Sequence, residues 1–326
     1  MNVPNFADII CMDNLLLAWT EFLRGKRKRK DVQEFQSHIM DNIFSLHQDL
    51  NTKTYSHGGY LAFNISDPKP RSIHKAIVRD RLLHHAIYRK LYSYFDEKFI
   101  YDSYSCRKWK GTHRALDRFR DFGREVSKNN TKTCWVLKCD VKKFFASINQ
   151  TILIEILKTY NLDMNTIWLL KKVITSFNNV EIGKGLPLGN LTSQLLVNVY
   201  MGWFDQYVKH RLKAKYYIRY ADDFVIMSQN RSELEENLIQ IRFFLKDNLK
   251  LDLHPNKVFI TTLASGVDFL GWVHFPHHSV LRTVTKRRMM KNLKSNKKLG
   301  TTQSYLGMLS HGNAYKLKSK LGLMVQ

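Results

Sequence analysis

Two adjacent carboxylates, Asp222 and Asp223, stand between two apolar, β-prone runs covering residues 216–220 and 224–227. That pattern predicts a β-hairpin whose tight turn carries both acids. Paired carboxylates on a rigidly held turn suit Mg²⁺, although an ordinary Asp-rich surface turn has the same local pattern. The chemistry therefore depends on further ligands. Trp135-Val136-Leu137-Lys138-Cys139-Asp140-Val141 offers one, since it reads as a buried strand interrupted by a single acid. A carboxylate in that position is costly unless it is paired or metal-bound. The Phe144-Phe145 pair that follows reads either as core or as one ring walling the site beside Asp140. Lys69-Pro70-Arg71-Ser72-Ile73 is an extended basic segment. Such side chains either face water or close over phosphate oxygens, which Arg does with bidentate geometry. Gly183-Lys184-Gly185-Leu186-Pro187-Leu188-Gly189-Asn190 is a Gly/Pro-rich loop ahead of a helix. Its glycines let a substrate approach the backbone, and its spacing is neither a Walker A nor a Rossmann fingerprint.

The balance of charge points to a polyanionic partner. Of 326 residues, 52 are Lys or Arg and 28 are Asp or Glu, a formal net charge of +24. So large an excess repels itself unless something negative binds. Hydrophobic residues make up 44% of the chain, enough for a folded core and against wholesale disorder. No apolar run is long enough to span a bilayer, and the first residues lack signal-peptide regions, so a cytoplasmic protein without membrane contact is expected. Cys11, Cys106, Cys134 and Cys139 show no paired spacing, and Cys134 and Cys139 are expected to be reduced core thiols rather than metal ligands. His274, His277 and His278 cluster without neighbouring Cys or acidic ligands, which favours a polar surface or nucleic-acid contact over a metal site.

The elements that must position these residues follow from periodicity. Asn14 is placed to cap a helix over residues 15–23, and Val32, Phe35, Ile39, Ile43, Leu46 and Leu50 outline a second amphipathic helix. Residues 51–70 read as a loop or hairpin, and a helix runs from about residue 80 to 95. Another begins after Gly111, one of about twenty residues follows the glycine-rich loop and carries Leu196, Val199, Tyr200, Trp203, Val208 and Leu212, and Ser232-Glu233-Leu234-Glu235 forms a capping box for the next. Strand-like runs cover 258–262 and 267–273. Arg107, Lys108 and Lys110 crowd around Trp109 before the helix that begins after Gly111, a composition that suits phosphate or base-stacking contacts. Arg287, Lys291, Lys294 and Lys298 line one helical face in a tail with no acid beyond Asp268, as nucleic-acid backbone contact would require.

In this order the motifs resemble those of bacterial reverse transcriptases over nearly the whole chain. Asp140-Val141-Lys142-Lys143-Phe144-Phe145 looks like the first palm motif and Tyr220-Ala221-Asp222-Asp223 like the catalytic hairpin. Residues 249–257 and Phe269-Leu270-Gly271 resemble the two motifs that follow. Arg71 stands where the family's fingers bind triphosphate and Lys257 where it carries a late palm lysine. Group II intron and retroviral enzymes usually have Gln where this chain has Leu188. The Leu188-Gly189-Asn190-x-x-Ser193-Gln194 version is similar to enzymes of diversity-generating retroelements, as are Cys106-Arg107-Lys108 and Gly111-Thr112-His113-Arg114.

The resemblance implies an α+β right-hand polymerase with fingers, a palm of antiparallel sheet with packed helices, and a small helical thumb. The expected divisions are residues 1–134 (N-terminal helices and fingers), 135–275 (palm, with part of the fingers around 150–190) and 276–326 (thumb). The roughly fifty residues after Phe275 are expected to form a small helical thumb, without a ribonuclease H or HNH domain. By the same resemblance, Asp140, Asp222 and Asp223 hold two Mg²⁺ ions, with Mn²⁺ able to replace them in vitro, and Lys257 assists the leaving group. Lys69, Arg71, Val141, Phe145, Leu188, Gly189 and Gln194 contact the dNTP, with Phe145 excluding a 2′-hydroxyl. The implied partners are template RNA, nascent cDNA and a small basic accessory protein, and the implied product is cDNA copied with errors opposite adenine. Two alternatives share the fold: a defence-associated reverse transcriptase and a non-catalytic RNA-binding protein.

Overall fold

The computed structural model of the chain describes residues 3–66, 70–178, 181–295 and 299–320. Two compact units interleave along the sequence. The first comprises residues 1–101, 141–211 and 242–252; the second comprises 102–140, 212–241 and 253–326.

The first unit is mainly helical. Asn5 caps a short helix, Phe6–Ile10, by accepting from Asp8 N while the Asp8 carboxylate accepts from Asn5 N. The next helix, Met12–Phe22, begins two residues before the expected cap. Asn14 lies within this helix, is buried, and sends Nδ2 to the carbonyls of Ile9 and Ala86 in two others, so it ties three helices together. The apolar pattern over residues 32–50 is divided at His38, whose φ of −123° and ψ of 39° separate Lys30–Ser37 from Ile39–Asn51. Periodicity alone does not register such a break when both helices present their stripes to one core. A two-stranded ribbon, β1 (Tyr60–Ile65) paired antiparallel with β2 (Arg71–Ala76), precedes the long helix Val78–Asp96. That helix packs against Met12–Phe22 and against Leu191–Gln206. A helix at Met164–Thr175, capped by Asp163, lies where the sequence reading placed no element.

A buried carboxylate organises the base of the ribbon. Asp80 is fully buried and accepts from Tyr55 Oη at 2.8 Å and from Gly58 N at 2.8 Å, with His57 Nδ1 3.4 Å away.

The second unit is built on a four-stranded antiparallel sheet, in which residues 216–220, 223–228, 135–140 and 259–262 lie side by side in that order. Its strands are β3 (Trp135–Asp140), β4 (Tyr216–Tyr220), β5 (Asp223–Ser228) and β6 (Phe259–Thr262). The helix Thr112–Val126 lays Ala115, Leu116, Phe119, Phe122 and Val126 into one core with Val136, Ile218, Val225 and Met227 of the sheet. The opposite face is buried as well, with Leu137, Cys139, Tyr217 and Phe224 fully covered. The run at 267–273 is not one strand. It folds back at Leu270 and Gly271, both at positive φ, into β7 (Val267–Phe269) and β8 (Trp272–His274), with β9 (Ser279–Leu281) beside them. Two left-handed residues in succession fit a tight I′-type hairpin.

The helix Arg231–Leu249 starts one residue before Ser232, and it is Asn230 whose Oδ1 accepts from Ser232 N. His274 belongs to the core: it is buried, Nδ1 is 2.8 Å from Ser279 Oγ, and burial beside Arg120 lowers its pKa to about 4. Of the four thiols, Cys134 and Cys139 are buried, Cys11 is half-buried and Cys106 is exposed. Among the described residues no helix is long and apolar enough to cross a membrane.

Asp80→Ala should lower the unfolding free energy by about 3 kcal/mol in urea titrations, because Tyr55 and Gly58 lose a buried acceptor. Arg79→Ala breaks a half-exposed ion pair with Asp49 and a contact of the guanidinium with the Tyr55 ring, and should cost less, about 1 kcal/mol.

Candidate active site

The register of the second unit's sheet brings two of the sequence-identified acids together. β3 and β5 pair as Asp140↔Asp223, Cys139↔Phe224 and Lys138↔Val225. Directly opposed residues project to the same face with Cβ atoms about 4.5–5.5 Å apart. β4 pairs with β5 through Tyr220↔Asp223, which leaves a two-residue loop of Ala221 and Asp222. Ala221 has φ +56°, as the first position of a II′-type hairpin requires. Asp222 thus occupies the turn, whereas Asp223 opens β5 instead of sharing the turn. A two-residue loop follows the strand twist, so the second acid is drawn into the ladder opposite Asp140.

Lysines balance these carboxylates. The Asp223 side chain is 19% exposed, and its Oδ2 lies 3.4 Å from Nζ of Lys138, itself almost fully buried. Burial pushes the Asp223 carboxyl up to about 7; Lys138 opposes the shift, and Asp222 and Asp140 add to it. On the other acid, Lys257 Nζ donates to Asp140 Oδ1 at 2.9 Å. The turn that carries Lys257 is fastened to the same residue, since His254 N donates to the Asp140 carbonyl at 2.7 Å and Lys257 N to the His254 carbonyl at 3.2 Å.

Two further site residues, Lys138 and Arg219, have no role evident from sequence. Lys138 shares a face of β3 with Asp140 by period-two alternation. Arg219 lies on the other face of β4 and is fully buried. Its Nη1 donates to the Ala221 carbonyl and its Nη2 to Ser103 Oγ, each at 3.1 Å. Residues 102–104 strap the strand from outside: Arg219 N donates to the Asp102 carbonyl and Tyr104 N to the Arg219 carbonyl. The carbonyl that Arg219 holds belongs to the residue immediately before Asp222. The available signal was a charged residue at an inward position of an apolar strand.

The donor set fits Mg²⁺. Carboxylate oxygens are its preferred ligands, and Asp223 Oδ1 is buried without a hydrogen-bond partner among the described residues, an acceptor that a cation would satisfy. No three His, Cys, Asp or Glu side chains among the described residues form a metal-holding group by themselves. A Mg²⁺ shell is ordinarily completed by water and substrate phosphates.

The residues expected to contact dNTP, apart from Lys69, which lies outside the described residues, belong to the first unit. Exposed Arg71 opens β2. On the same strand, His74 N donates to the Leu188 carbonyl at 3.0 Å, and Asn190 Nδ2 donates to the His74 carbonyl at 2.8 Å. Gly189 has φ +110°, and a Cβ there would meet Ile73 Cγ2 at 2.9 Å, so close approach and backbone hand both favour glycine. Leu188 and Gln194 are half-buried, Val141 is buried, and half-buried Phe145 accepts from Leu186 N at 2.9 Å. Asn190 is another site residue whose role is not evident from sequence. It is 3% exposed, and its Oδ1 has no hydrogen-bond partner among the described residues.

Of the residues assigned to nucleic acid, Arg107 Nη1 donates to the Ser103 carbonyl, Lys110 lies over the Tyr104 ring, and Lys108 is exposed. Arg287 and Lys291 are exposed on the helix Thr283–Ser295, which also contains Lys294; Lys298 lies outside the described residues.

A sequence profile described as "Reverse transcriptase (RNA-dependent DNA polymerase)" matches residues 66–274, well over half of the chain. The chain belongs to the reverse transcriptase family. Among curated members it is similar to Protein YkfC of Escherichia coli, 25% identical over 248 residues, which cover 63% of each chain. It is also similar to the group II intron-encoded protein LtrA of Lactococcus lactis, 24% identical over 261 residues, covering 59% of this chain and 42% of LtrA. It thus spans less than two thirds of the length of these relatives. Apo telomerase from Candida tropicalis superposes with a TM-score of 0.52 at 13% identity, covering 68% of this chain and 48% of that one. Likeness at that identity concerns the fold: antiparallel sheets with packed helices in a right-hand polymerase architecture.

Because folding raises the Asp223 pKa from 3.8 to about 7, the folded state binds this proton more tightly than the unfolded chain between those values. The contribution of Asp223 to stability therefore falls as pH rises through that window. Urea titrations in EDTA should show the stability difference moving in favour of Asp223→Asn by on the order of 1 kcal/mol per pH unit between about pH 4 and 7, then levelling off.

Proposed function

We propose that the protein is an RNA-directed DNA polymerase that makes cDNA by two-metal nucleotidyl transfer. The observation that carries this reading is the cross-strand confrontation of Asp140 with Asp223 beside Asp222 in a chain of this family. Asp140, Asp222 and Asp223 hold the metal. When bound, Mg²⁺ activates the primer 3′-hydroxyl and neutralises charge on the leaving pyrophosphate. The remaining tasks belong to the chain itself. Lys257 holds Asp140 in place and presents a cation to the leaving group. Lys138 keeps the Asp223 carboxylate oriented, and Arg219 holds the hairpin loop by its Ala221 carbonyl, which stabilises Asp222 against the strain of a left-handed alanine.

The roles proposed for the first unit follow from the family resemblance, and among them only the placement of Leu188 and Gly189 draws support from a described contact. Arg71, with Lys69, takes the triphosphate; Phe145 stacks under the sugar and rejects a 2′-hydroxyl; Val141 lines the same pocket. Leu188, Gly189 and Gln194 pack beside the templating pair, and the clip from Leu188 and Asn190 to His74 links them to the strand bearing Arg71. An aliphatic Leu188 offers no amide hydrogen bonds there, which is a physical route to low fidelity. We assign the enzyme to a diversity-generating retroelement on the Leu188-Gly189-Asn190-x-x-Ser193-Gln194 pattern. It would work with a template RNA and a small basic accessory protein, and its fingers, palm and thumb would follow the divisions expected from the sequence.

Mg²⁺-dependent primer extension on an RNA template tests the core. Asp222→Ala and Asp140→Ala should each reduce the rate by about a thousandfold or more, a loss of the size expected when a metal ligand is removed. Undiminished extension by Asp222→Ala would sink the mechanism. Sequencing the cDNA tests the finer assignment: substitutions confined to template adenines support it, and accurate or untemplated product refutes it while leaving the polymerase reading in place.

A further inference from the structure

Trp109 is the most exposed aromatic side chain of the second unit, at 84% of its full accessibility. Tryptophan is usually among the best-covered residues, so a ring standing almost wholly in solvent calls for a cause. Its backbone sharpens the point. Trp109 has φ +61° and Cys106 φ +56°, left-handed values that disfavour bulky side chains. The loop nevertheless holds this conformation through several ties. Gly111 N donates to the Tyr104 carbonyl at 3.0 Å, Lys110 N to the Arg107 carbonyl at 3.3 Å, and Arg107 Nη1 to the Ser103 carbonyl at 3.0 Å. Lys110 Nζ rests over the ring of Tyr104, 5.1 Å from its centre, and Tyr104 is itself buried and bonded to Arg219. A strained, well-tied loop that turns its largest apolar group outward does not serve packing.

The surroundings say what would cover the ring. Residues 103–116 contain Arg107, Lys108, Lys110 and Arg114 and no acid. An exposed indole among cations suits a single-stranded polyanion with flat apolar bases, whose phosphates meet the cations while a base stacks on the ring. A duplex keeps its base faces covered and offers only phosphates.

We propose that Trp109 is a stacking platform for an unpaired base of single-stranded nucleic acid, with Arg107, Lys108 and Lys110 taking the adjoining phosphates. The proposal rests on the reading of the chain as an RNA-templated polymerase and assigns one contact that the family match does not specify.

The test is binding of a fluorescently labelled 12-nucleotide RNA in EDTA without dNTP, so that no chemistry intervenes. Trp109→Ala should weaken single-stranded RNA by about tenfold, Trp109→Phe by much less, and neither should alter binding of duplex RNA of the same length. Arg107→Ala should weaken both ligands and flatten their salt dependence. Circular dichroism of each variant checks that the loop change leaves the fold intact. Equal affinity of Trp109→Ala and wild type for the single strand overturns the proposal, as does an equal loss on single strand and duplex. Either result would leave the ring to a protein partner. Primer extension by the wild type is scored separately. Extension together with a neutral Trp109→Ala overturns the platform alone, and Trp109-dependent binding without extension overturns the polymerase reading alone.

Discussion

Two carboxylates forced to face each other across adjacent strands are the constraint on which the rest of the second unit depends. The Asp140↔Asp223 pair places like charges at a separation where a sheet ordinarily pairs opposite ones. Burial adds to the repulsion and is the largest cause of the raised Asp223 pKa. Such an arrangement persists only if the surrounding structure over-determines it. Lys138 compensates one acid from within the sheet and Lys257 the other from a turn fastened to the Asp140 carbonyl. Both faces of the sheet are buried, so the strands cannot slip by one residue without turning Asp223 and Lys138 into an apolar core.

The hairpin loop is held from behind. Arg219 spends a fully buried guanidinium on the carbonyl of Ala221 and the hydroxyl of Ser103, and residues 102–104 extend the sheet beyond β4. The same strap leads directly into the loop that projects Trp109. Preorganisation of the acidic turn and rigidity of the exposed aromatic therefore share one support, which is why changes at residues 102–104 would be felt at both.

In the first unit a different device performs the corresponding task. β1 and β2 form only a ribbon, which is marginal alone. The loop at 188–190 supplies what a third strand would, with one hydrogen bond from each end to His74. Gly189 is tolerated at φ +110° and keeps clear of Ile73, so the Gly in this motif has a backbone reason independent of any substrate.

Much of this was legible in residue order. The apolar runs around Asp222, the lone acid ending β3, the long helices and the basic loops all follow from local pattern, because burial on one face imposes a period of two or 3.6. The family, too, is evident from the order of its motifs. Other features depended on contacts between residues distant in the chain. Asn14 and Ser232 have the composition of helix caps, yet one ties helices together and the other lies within a helix. His274 looks like surface and is core, and the 267–273 run hides a turn at Leu270. Lys138 and Arg219 carry no role in the local pattern of their strands until their partners, Asp223 and the Ala221 carbonyl, come into place. The chain by itself determined which acids and cations are present and on which strands and helices they lie. The tertiary structure decided which of them face each other, because register and loop hand are set by packing across the whole sheet, not by neighbours in sequence.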